Sequence, residues 1–589
     1  MKRIIKRRTI SLLVGCILGI VVLLVRLGQL QLIETESFSD RQINLYEQSV
    51  AQRTQALTIH EGRGTFVDRN GEPITHRQIP ALLLFPFLES IKWDQEAVAQ
   101  IVDVPVKELE EAIQQAKEPF AFGEPDPMEL TEEQVRQINE LKIPGVFATL
   151  TDFPREKSLA AHTIGITGEN PTVLQERYPD RDFPLNQEIG ISGLEESFDE
   201  FLVQEGATKL LYHVDGIGGP LFGIDVKYTD PGNPFYPLKM KTTLDLTIQE
   251  KMEELVDAYD IQKGGLVLLD VQSGNILSMV SRPSISYEDP FKEDSARNRM
   301  TQQQVIGSVF KTVVAAATIE KGIDVKTRTF DCSQSIFGEE NRYDYGMRNF
   351  EESFAISCNN TFAQLTNELQ KLDETTLETY AKKVGLLGPV GWEGDVYHVE
   401  NFRPLHKEDA GRVFLDEPTT DKNYLSQTGI GQYEVRATPL AVANMMATIA
   451  RGGEQIPPRI VSEMDYQDGS KLYEFDQQSV DSSEELSPYG AMKVQSLLRE
   501  VVTNEEGTGR WFQELPYEVA GKSGTGDVST ATTKEEDTKY NKWFAGYFPF
   551  EQPKYALAVV NLGVPSSEGG INGLFQDVVK ALYEFDQQQ

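Results

Sequence analysis

Ser308-Val309-Phe310-Lys311, running on into Thr312-Val313-Val314-Ala315-Ala316-Ala317-Thr318-Ile319-Glu320-Lys321-Gly322, is the stretch on which the reading of this 589-residue chain turns. It predicts a helix from Ser308 to Lys321, closed by Gly322. Three residues is close to one helical turn, so Lys311 falls on the same face as Ser308. A serine hydroxyl is a poor nucleophile until a base takes its proton, and a neighbouring amine serves if its own pKa is depressed. The free N–H groups and dipole of a helix N-terminus favour the alkoxide that develops. An isolated Ser-x-x-Lys is more often a helix N-cap followed by a surface lysine. The weight of this one, which occurs once in the chain, comes from its companions.

Two further motifs follow in order. Ser357-Cys358-Asn359 reads Ser-x-Asn, and Lys522-Ser523-Gly524-Thr525 reads Lys-Ser/Thr-Gly. The ordered triplet is a signature of serine acyl-transfer enzymes, and the residue types suit that chemistry. Ser308 is the expected nucleophile and Lys311 the expected base. Ser357 relays a proton to the leaving amine, and Asn359 holds the substrate amide. Lys522 adds positive charge near a substrate carboxylate, and Ser523 supplies the motif's hydroxyl. Gly524 lets a substrate backbone approach an edge strand closely. The backbone N–H groups of Ser308 and Thr525 are expected to form the oxyanion hole. A second Ser-x-Asn, Ser273-Gly274-Asn275, lies between two strand-like runs and reads as a hairpin turn. Gly521-Lys522-Ser523 also imitates the end of a phosphate-binding loop, but Pro516 stands where that loop needs glycine.

With these residues the chain resembles the class B penicillin-binding proteins, and the resemblance spans most of its length. Arg63-Gly64 with Asp68-Arg69-Asn70-Gly71 is similar to the family's early element. Gly190 to Phe198 (GISGLEESF) is similar to its linker, and Lys241 to Gln249 (KTTLDLTIQ) to its entry into the catalytic domain. Gly431-Gln432 with Thr438-Pro439, and Gly507-Thr508-Gly509, resemble stretches ahead of the last motif. Three features depart from the family pattern, the first being Ser523 where threonine is common, which keeps the hydroxyl. Ile306-Gly307 precedes Ser308 where the family has Pro-Gly, and Ser158-Leu159-Ala160-Ala161-His162 lacks the usual Arg-x-Tyr-Pro before it.

The remainder of the chain bounds what it does. Its net charge is −35, although the first 26 residues hold six basic side chains and no acid. That balance argues against nucleic acid as a partner. Thr9 to Val25 is an uncharged, mostly apolar run with five basic residues before it, which predicts a membrane-spanning anchor. No small-x-small site follows the run, so it reads as uncleaved. Positive-inside logic puts residues 1–8 in the cytoplasm and the bulk of the chain outside. Cys332 and Cys358 could pair there, though nothing in the sequence requires it, and Cys358 reads as a packed thiol beside the site. The six histidines show no metal-ligand spacing, and no metal or cofactor is expected.

The organisation expected is a multidomain α/β (α+β) chain. Residues 1–8 form a tail, 9–25 the anchor, 26–56 a stalk, 57–237 a mixed, non-catalytic pedestal domain, and 238–589 the catalytic domain. In the pedestal, helices are predicted over Val106–Lys117 and from Thr131, where Gln134 completes a capping box. Pro231-Gly232-Asn233-Pro234 reads as a linker, and Lys534–Asp537 as a solvated charge run. The catalytic domain shows strands at Gly264–Asp270, Asn275–Ser281, Val519–Thr525, Trp543–Phe548 and Lys554–Leu562. Helices are expected at Thr376–Val384, Leu440–Ile449 and Phe575–Phe585. Periodicity alone gives a mixed class. The resemblance implies the penicillin-binding transpeptidase domain, which is β-lactamase-like in fold. It implies a D,D-transpeptidase that cross-links peptidoglycan stem peptides through an acyl-enzyme at Ser308, with β-lactams trapped covalently there and other cell-wall synthesis proteins as partners. A cell-wall scaffold with dispensable catalysis, or a D,D-carboxypeptidase, are the alternatives. The long pedestal and the anchor argue against a β-lactamase, and the short tail leaves no room for the cytoplasmic part of a penicillin sensor.

Overall fold

The structure is a computed structural model that describes residues 2–29, 31, 54–60, 62–155, 157–181, 183–203, 208–213, 227–229, 235–286, 289–290, 292–336, 344–415, 421–529, 538–568 and 570–588. Residues 32–53 of the expected stalk, the expected linker 231–234 and the charge run 534–537 lie outside the described residues. The chain opens with helix α1 (Lys2–Gly28). Its Ile10–Gly28 stretch of 19 residues is long and apolar enough to cross a membrane, and none of it is buried.

Beyond α1 the described residues divide into two compact units. The first takes in residues up to 62, 77–153 and 205–233. It holds a three-stranded sheet of Phe120–Ala121, His76–Leu84 and Val146–Pro154 in that order, with helices Gln95–Val102, Val106–Gln115 and Glu132–Glu140. The capping box expected at Thr131 is formed: the Thr131 hydroxyl accepts from Gln134 N–H, and the Gln134 side chain accepts from Thr131 N–H.

The second unit takes in residues 63–76, 154–204 and 234–589. Its centre is a five-stranded antiparallel sheet of β1 (Gly264–Asp270), β2 (Ile276–Arg282), β3 (Ala520–Asp527), β4 (Lys539–Phe548) and β5 (Tyr555–Pro565), ordered β2-β1-β5-β4-β3. The inner strands read as unbroken apolar runs because both faces are covered. On β1, Leu266 and Leu268 turn to one core while Val267 and Leu269 turn to the other. On β4, Phe544 and Phe548 join the first core, and Trp543, Ala545 and Tyr547 the second. Helices α2 (Leu246–Ala258) and α8 (Asn572–Gln588) supply the first core with Met252, Val256, Phe575 and Val578. The other face carries α3 (Lys311–Glu320), α4 (Phe350–Ala355), α5 (Asn359–Leu372), α6 (Pro439–Ala450) and α7 (Pro488–Thr503). Every residue of α6 is buried. It starts where Thr438 caps Ala441 N–H and Pro439 sits in the first turn. The Ser273-Gly274-Asn275 copy is the β1–β2 turn: Gly274 has φ +69° and Ser273 N–H and Oγ bond Asp270.

A smaller sheet explains why distant pieces of sequence share this unit. Lys239–Thr242 pairs in parallel with Thr65–Val67 and antiparallel with Val461–Asp465. The turn Asp68-Arg69-Asn70-Gly71 is closed by the Asp68 carboxylate, which accepts N–H bonds from Asn70 at 2.7 Å and Glu72 at 2.9 Å.

Candidate active site

Ser308 does not open the α-helix itself. It lies in a single 3₁₀ turn, Gly307–Phe310, that runs directly into α3. Gly307 makes the turn possible. Its φ is +55°, and a Cβ there would stand 2.2 Å from the Thr525 carbonyl oxygen on β3. Its N–H donates to the Gly431 carbonyl at 2.9 Å. Ile306, which takes the place of the family's proline, is fully buried in the larger core.

The third motif lies on β3, the edge strand of the sheet. Gly524 is used here for a close approach within the protein: a Cβ would meet the Ile306 carbonyl oxygen at 2.6 Å and a Val309 methyl at 2.8 Å. The missing side chain therefore admits the nucleophile turn onto the strand. Ser523 Oγ donates to Thr508 Oγ1 at 2.9 Å, and Thr508 N–H donates to the Ala355 carbonyl at 3.0 Å. Thr508, in the Gly507-Thr508-Gly509 stretch, thus ties the third motif to the end of the helix that precedes the second.

The second motif is a strained turn. Ser357 sits in the left-handed region at φ +61°, an uncommon conformation for a residue with a side chain. Cys358 N–H closes the turn on the Ser353 carbonyl at 2.8 Å. The turn brings Cys358 to 5.6 Å from Cys332, Cα to Cα, and the two form a disulfide. The packed free thiol expected at Cys358 is corrected accordingly. The same turn aims the Ser357 carbonyl at Lys311.

Lys311 joins the motifs. It is fully buried. Its Nζ donates to the Ser357 carbonyl at 2.6 Å and to Asn359 Oδ1 at 2.6 Å, and Ser357 Oγ lies 3.1 Å away. Among the described residues no carboxylate pairs with it. Burial holds Lys311 well below the ordinary lysine value, and the nearby Lys522 charge lowers it further. Lys522 is also fully buried, and burial brings it down to about 7. The Phe362 ring lies 5.6 Å from Lys311 Nζ and the Phe354 ring 5.7 Å from Lys522 Nζ. The surroundings fit a neutral Lys311: two N–H bonds go to acceptor-only oxygens, and a hydroxyl faces the remaining position.

Ser308, Asn359 and Thr525 line one open groove of about 750 Å³. Beneath it lie Lys311, Lys522 and Gly524, all buried, with Ser357 and Ser523 half-buried. The three motifs, spread between Ser308 and Thr525 in the sequence, therefore meet at one place. The groove also has walls that motif reading did not assign to the site, among them Gln432, Tyr433, Glu434, Arg436 and Tyr540. The signal for the first of these was Gly431-Gln432, whose glycine at φ +75° would carry a Cβ 1.9 Å from the Gly307 carbonyl oxygen.

Two family models match the chain. The penicillin binding protein transpeptidase domain matches residues 264–580, and the penicillin-binding protein dimerisation domain matches residues 58–233. Among curated proteins, the chain is 26% identical over 453 residues to penicillin-binding protein H of Bacillus subtilis, covering 70% of this chain and 60% of that protein. It is 24% identical over 615 residues to the peptidoglycan D,D-transpeptidase MrdA of Haemophilus influenzae, covering 95% of this chain and 89% of that one. It is 26% identical over 354 residues to the peptidoglycan D,D-transpeptidase PbpA of Mycobacterium tuberculosis, covering 54% and 66% respectively.

Proposed function

Since the chain belongs to the class B penicillin-binding proteins, its transpeptidase-domain match alone covering more than half of it, we propose that it is a membrane-anchored, serine-type D,D-transpeptidase that cross-links peptidoglycan stem peptides. The observation that carries the reading is the buried Lys311 amine held between Ser357 and Asn359, beneath the groove that Ser308 lines. An amine whose cation is disfavoured by burial is a base at neutral pH, which is what the serine needs.

In the proposed reaction, Ser308 Oγ gives its proton to Lys311 and bonds to the carbonyl carbon between two terminal D-alanines. The carbonyl electrons move onto oxygen, which takes N–H bonds from Ser308 and Thr525. On collapse the C–N bond breaks. Its electron pair goes to the leaving D-alanine nitrogen, which collects the proton from Lys311 by way of Ser357. An amine of a second stem peptide then attacks the ester carbonyl and passes a proton through the same pair to Ser308 Oγ, which takes the electrons of the breaking C–O bond and leaves as the free hydroxyl, with Lys311 neutral again. If water takes the place of that amine, the outcome is D,D-carboxypeptidase chemistry. Asn359 holds the donor's amide, Lys522 and Ser523 attract its carboxylate, and Gly524 and Thr525 present the strand edge. A β-lactam is trapped at the ester stage by the same attack.

Residues 9–25 anchor the chain, residues 1–8 lie in the cytoplasm and the catalytic domain lies outside, in keeping with the basic residues before the apolar helix. Other cell-wall synthesis proteins are its expected partners. The test is covalent labelling by a fluorescent penicillin. Wild type labels and Ser308→Ala does not, while both keep the same melting temperature. Labelling that survives the substitution overturns the assignment of the nucleophile.

A further inference from the structure

We propose that the Gln432 carboxamide is a place-holder for the backbone of the acyl donor, and that a donor docks on β3 only when this side chain leaves. The inference rests on the reading of Ser308 and β3 as the acylation site. Among the described residues the edge strand β3 has a strand partner on one side only, β4. Val528, next along the chain, turns its N–H to Lys539 on that side at 3.1 Å. By alternation Ser523, Thr525 and Asp527 turn their N–H and C=O groups to the open side.

Gln432 occupies two of those groups. Its Nε2 donates to the Thr525 carbonyl at 2.9 Å, and Asp527 N–H donates to its Oε1 at 2.9 Å. A carboxamide carries the same donor and acceptor as a peptide group, so it satisfies the edge as one residue of an added strand would. A donor strand that lays its carbonyl on Thr525 N–H gives its own N–H to the Thr525 carbonyl, because a hydrogen-bonded antiparallel pair exchanges both bonds. That carbonyl is the one Gln432 holds. Asp527 N–H has a single proton to give, and the carboxamide fills the space beside the strand.

The backbone beneath the side chain is fixed. Gln432 N–H donates to the Gln427 carbonyl at 3.0 Å, and Gly431 N–H to the Thr428 carbonyl at 2.8 Å. The Gly431 carbonyl accepts from Gly307 at 2.9 Å, in the nucleophile turn. The half-exposed side chain can therefore swing away by rotamer change alone while the turn that presents Ser308 stays put. The closed edge is a resting state that competes with substrate, so apparent donor affinity is reduced by the fraction of molecules that hold it.

The test is acylation of the full-length protein by a fluorescent penicillin, which carries an exocyclic amide N–H. Rates are measured over a range of probe concentrations for wild type, Gln432→Met, Gln432→Ala and Ser308→Ala. Gln432→Met keeps the volume and loses both hydrogen bonds. The expected result for Gln432→Met and Gln432→Ala is a half-saturating concentration lower by about tenfold, with the limiting rate within about twofold of wild type. An unchanged or higher half-saturating concentration overturns the proposal. So does a fall in limiting rate alone, which makes Gln432 a brace for the nucleophile turn. If one variant melts early, Gln432→Glu gives the same reading, because a carboxylate has no proton for the Thr525 carbonyl. Failure of the acylation reading itself shows separately, as labelling that persists in Ser308→Ala.

Discussion

Lys311 and Lys522 are two buried amines within Coulombic reach of each other, and among the described residues neither has a carboxylate partner. The fold tolerates them because both can be neutral: burial lowers both, and the Lys522 charge lowers Lys311 further. Replacing Lys522 by methionine removes that second contribution, so the Lys311 cation becomes easier to form. The pH at which acylation switches on should then move upward. A pH–rate profile for penicillin labelling checks this, and an acid limb that stays where it was breaks the coupling. Stability carries the same signature. Unfolded Lys522 titrates near 10.5 and folded Lys522 near 7, so between these values the unfolded chain binds more protons and stability rises with pH. Below about 7 the folded domain bears the full cost of a buried cation. Lys522→Met should therefore melt higher than wild type by at least about 3 °C at pH 6, with the gain shrinking towards pH 10. Thermal melts at the two pH values decide it, and an equal gain at both contradicts the depressed lysine.

At the scale of elements, the sequence was legible where a local rule and the tertiary environment agree. Predicted Leu440–Ile449 is α6, Pro439–Ala450, because the cap, the first-turn proline and the apolar run all say helix. Predicted Val519–Thr525 extends two residues further, to Asp527, because pairing with β4 and not composition sets where β3 stops. Helices α5 and α7 were not foreseen; their polar faces dilute the apolar period over 14 and 16 residues. Of the site, the three motifs could be read from residue type and order. Their convergence was expected from motif order and resemblance, but the contacts that produce it could not be read, since they depend on glycines at 307, 431 and 524 that only the folded chain shows to be contact points. The Cys332–Cys358 disulfide was undecidable in sequence for the same reason, as its geometry follows from the left-handed turn at Ser357. It closes a separation of 26 residues, which corresponds to about 3.5 kcal/mol of stabilisation in the chain-entropy account. It also pins the residue between Ser357 and Asn359. Replacing both cysteines by alanine should lower the melting temperature and slow acylation together. Mass spectrometry of the unreduced wild-type protein gives a separate check, since free thiols at both positions would remove the argument.

On the scale of the whole chain, the catalytic sheet sits in a unit that also takes in residues 63–76 and 154–204. Those two early segments are tied to each other by a largely buried polar network. The Arg63 guanidinium bonds Glu195 at 2.6 Å and Asp199 at 2.8 Å, and Asp199 also accepts from Arg177 at 2.6 Å, Tyr178 at 2.8 Å and the Gly190 N–H at 2.7 Å. A few residues on, Phe66 packs edge-on against Phe198, which in turn meets Phe402 and Phe475. A fragment starting at Leu238, the boundary read from sequence, would leave Lys239–Thr242 without its parallel partner and expose that aromatic cluster. Such a fragment should aggregate or bind penicillin poorly, whereas one that starts just after α1 should stay folded. A point substitution asks the same question more gently. Arg63→Ala leaves Glu195 buried opposite no cation, which costs about 3–5 kcal/mol when the carboxylate is charged. Burial already raises the Glu195 pKa with Arg63 in place, and loss of Arg63 removes the influences that oppose it. The folded variant then holds a proton that the unfolded chain has released, so its stability falls as pH rises. Arg63→Ala should therefore melt closest to wild type near pH 5 and furthest below it near pH 8. A melting deficit independent of pH would mean that Arg63 acts through packing and not through its charge.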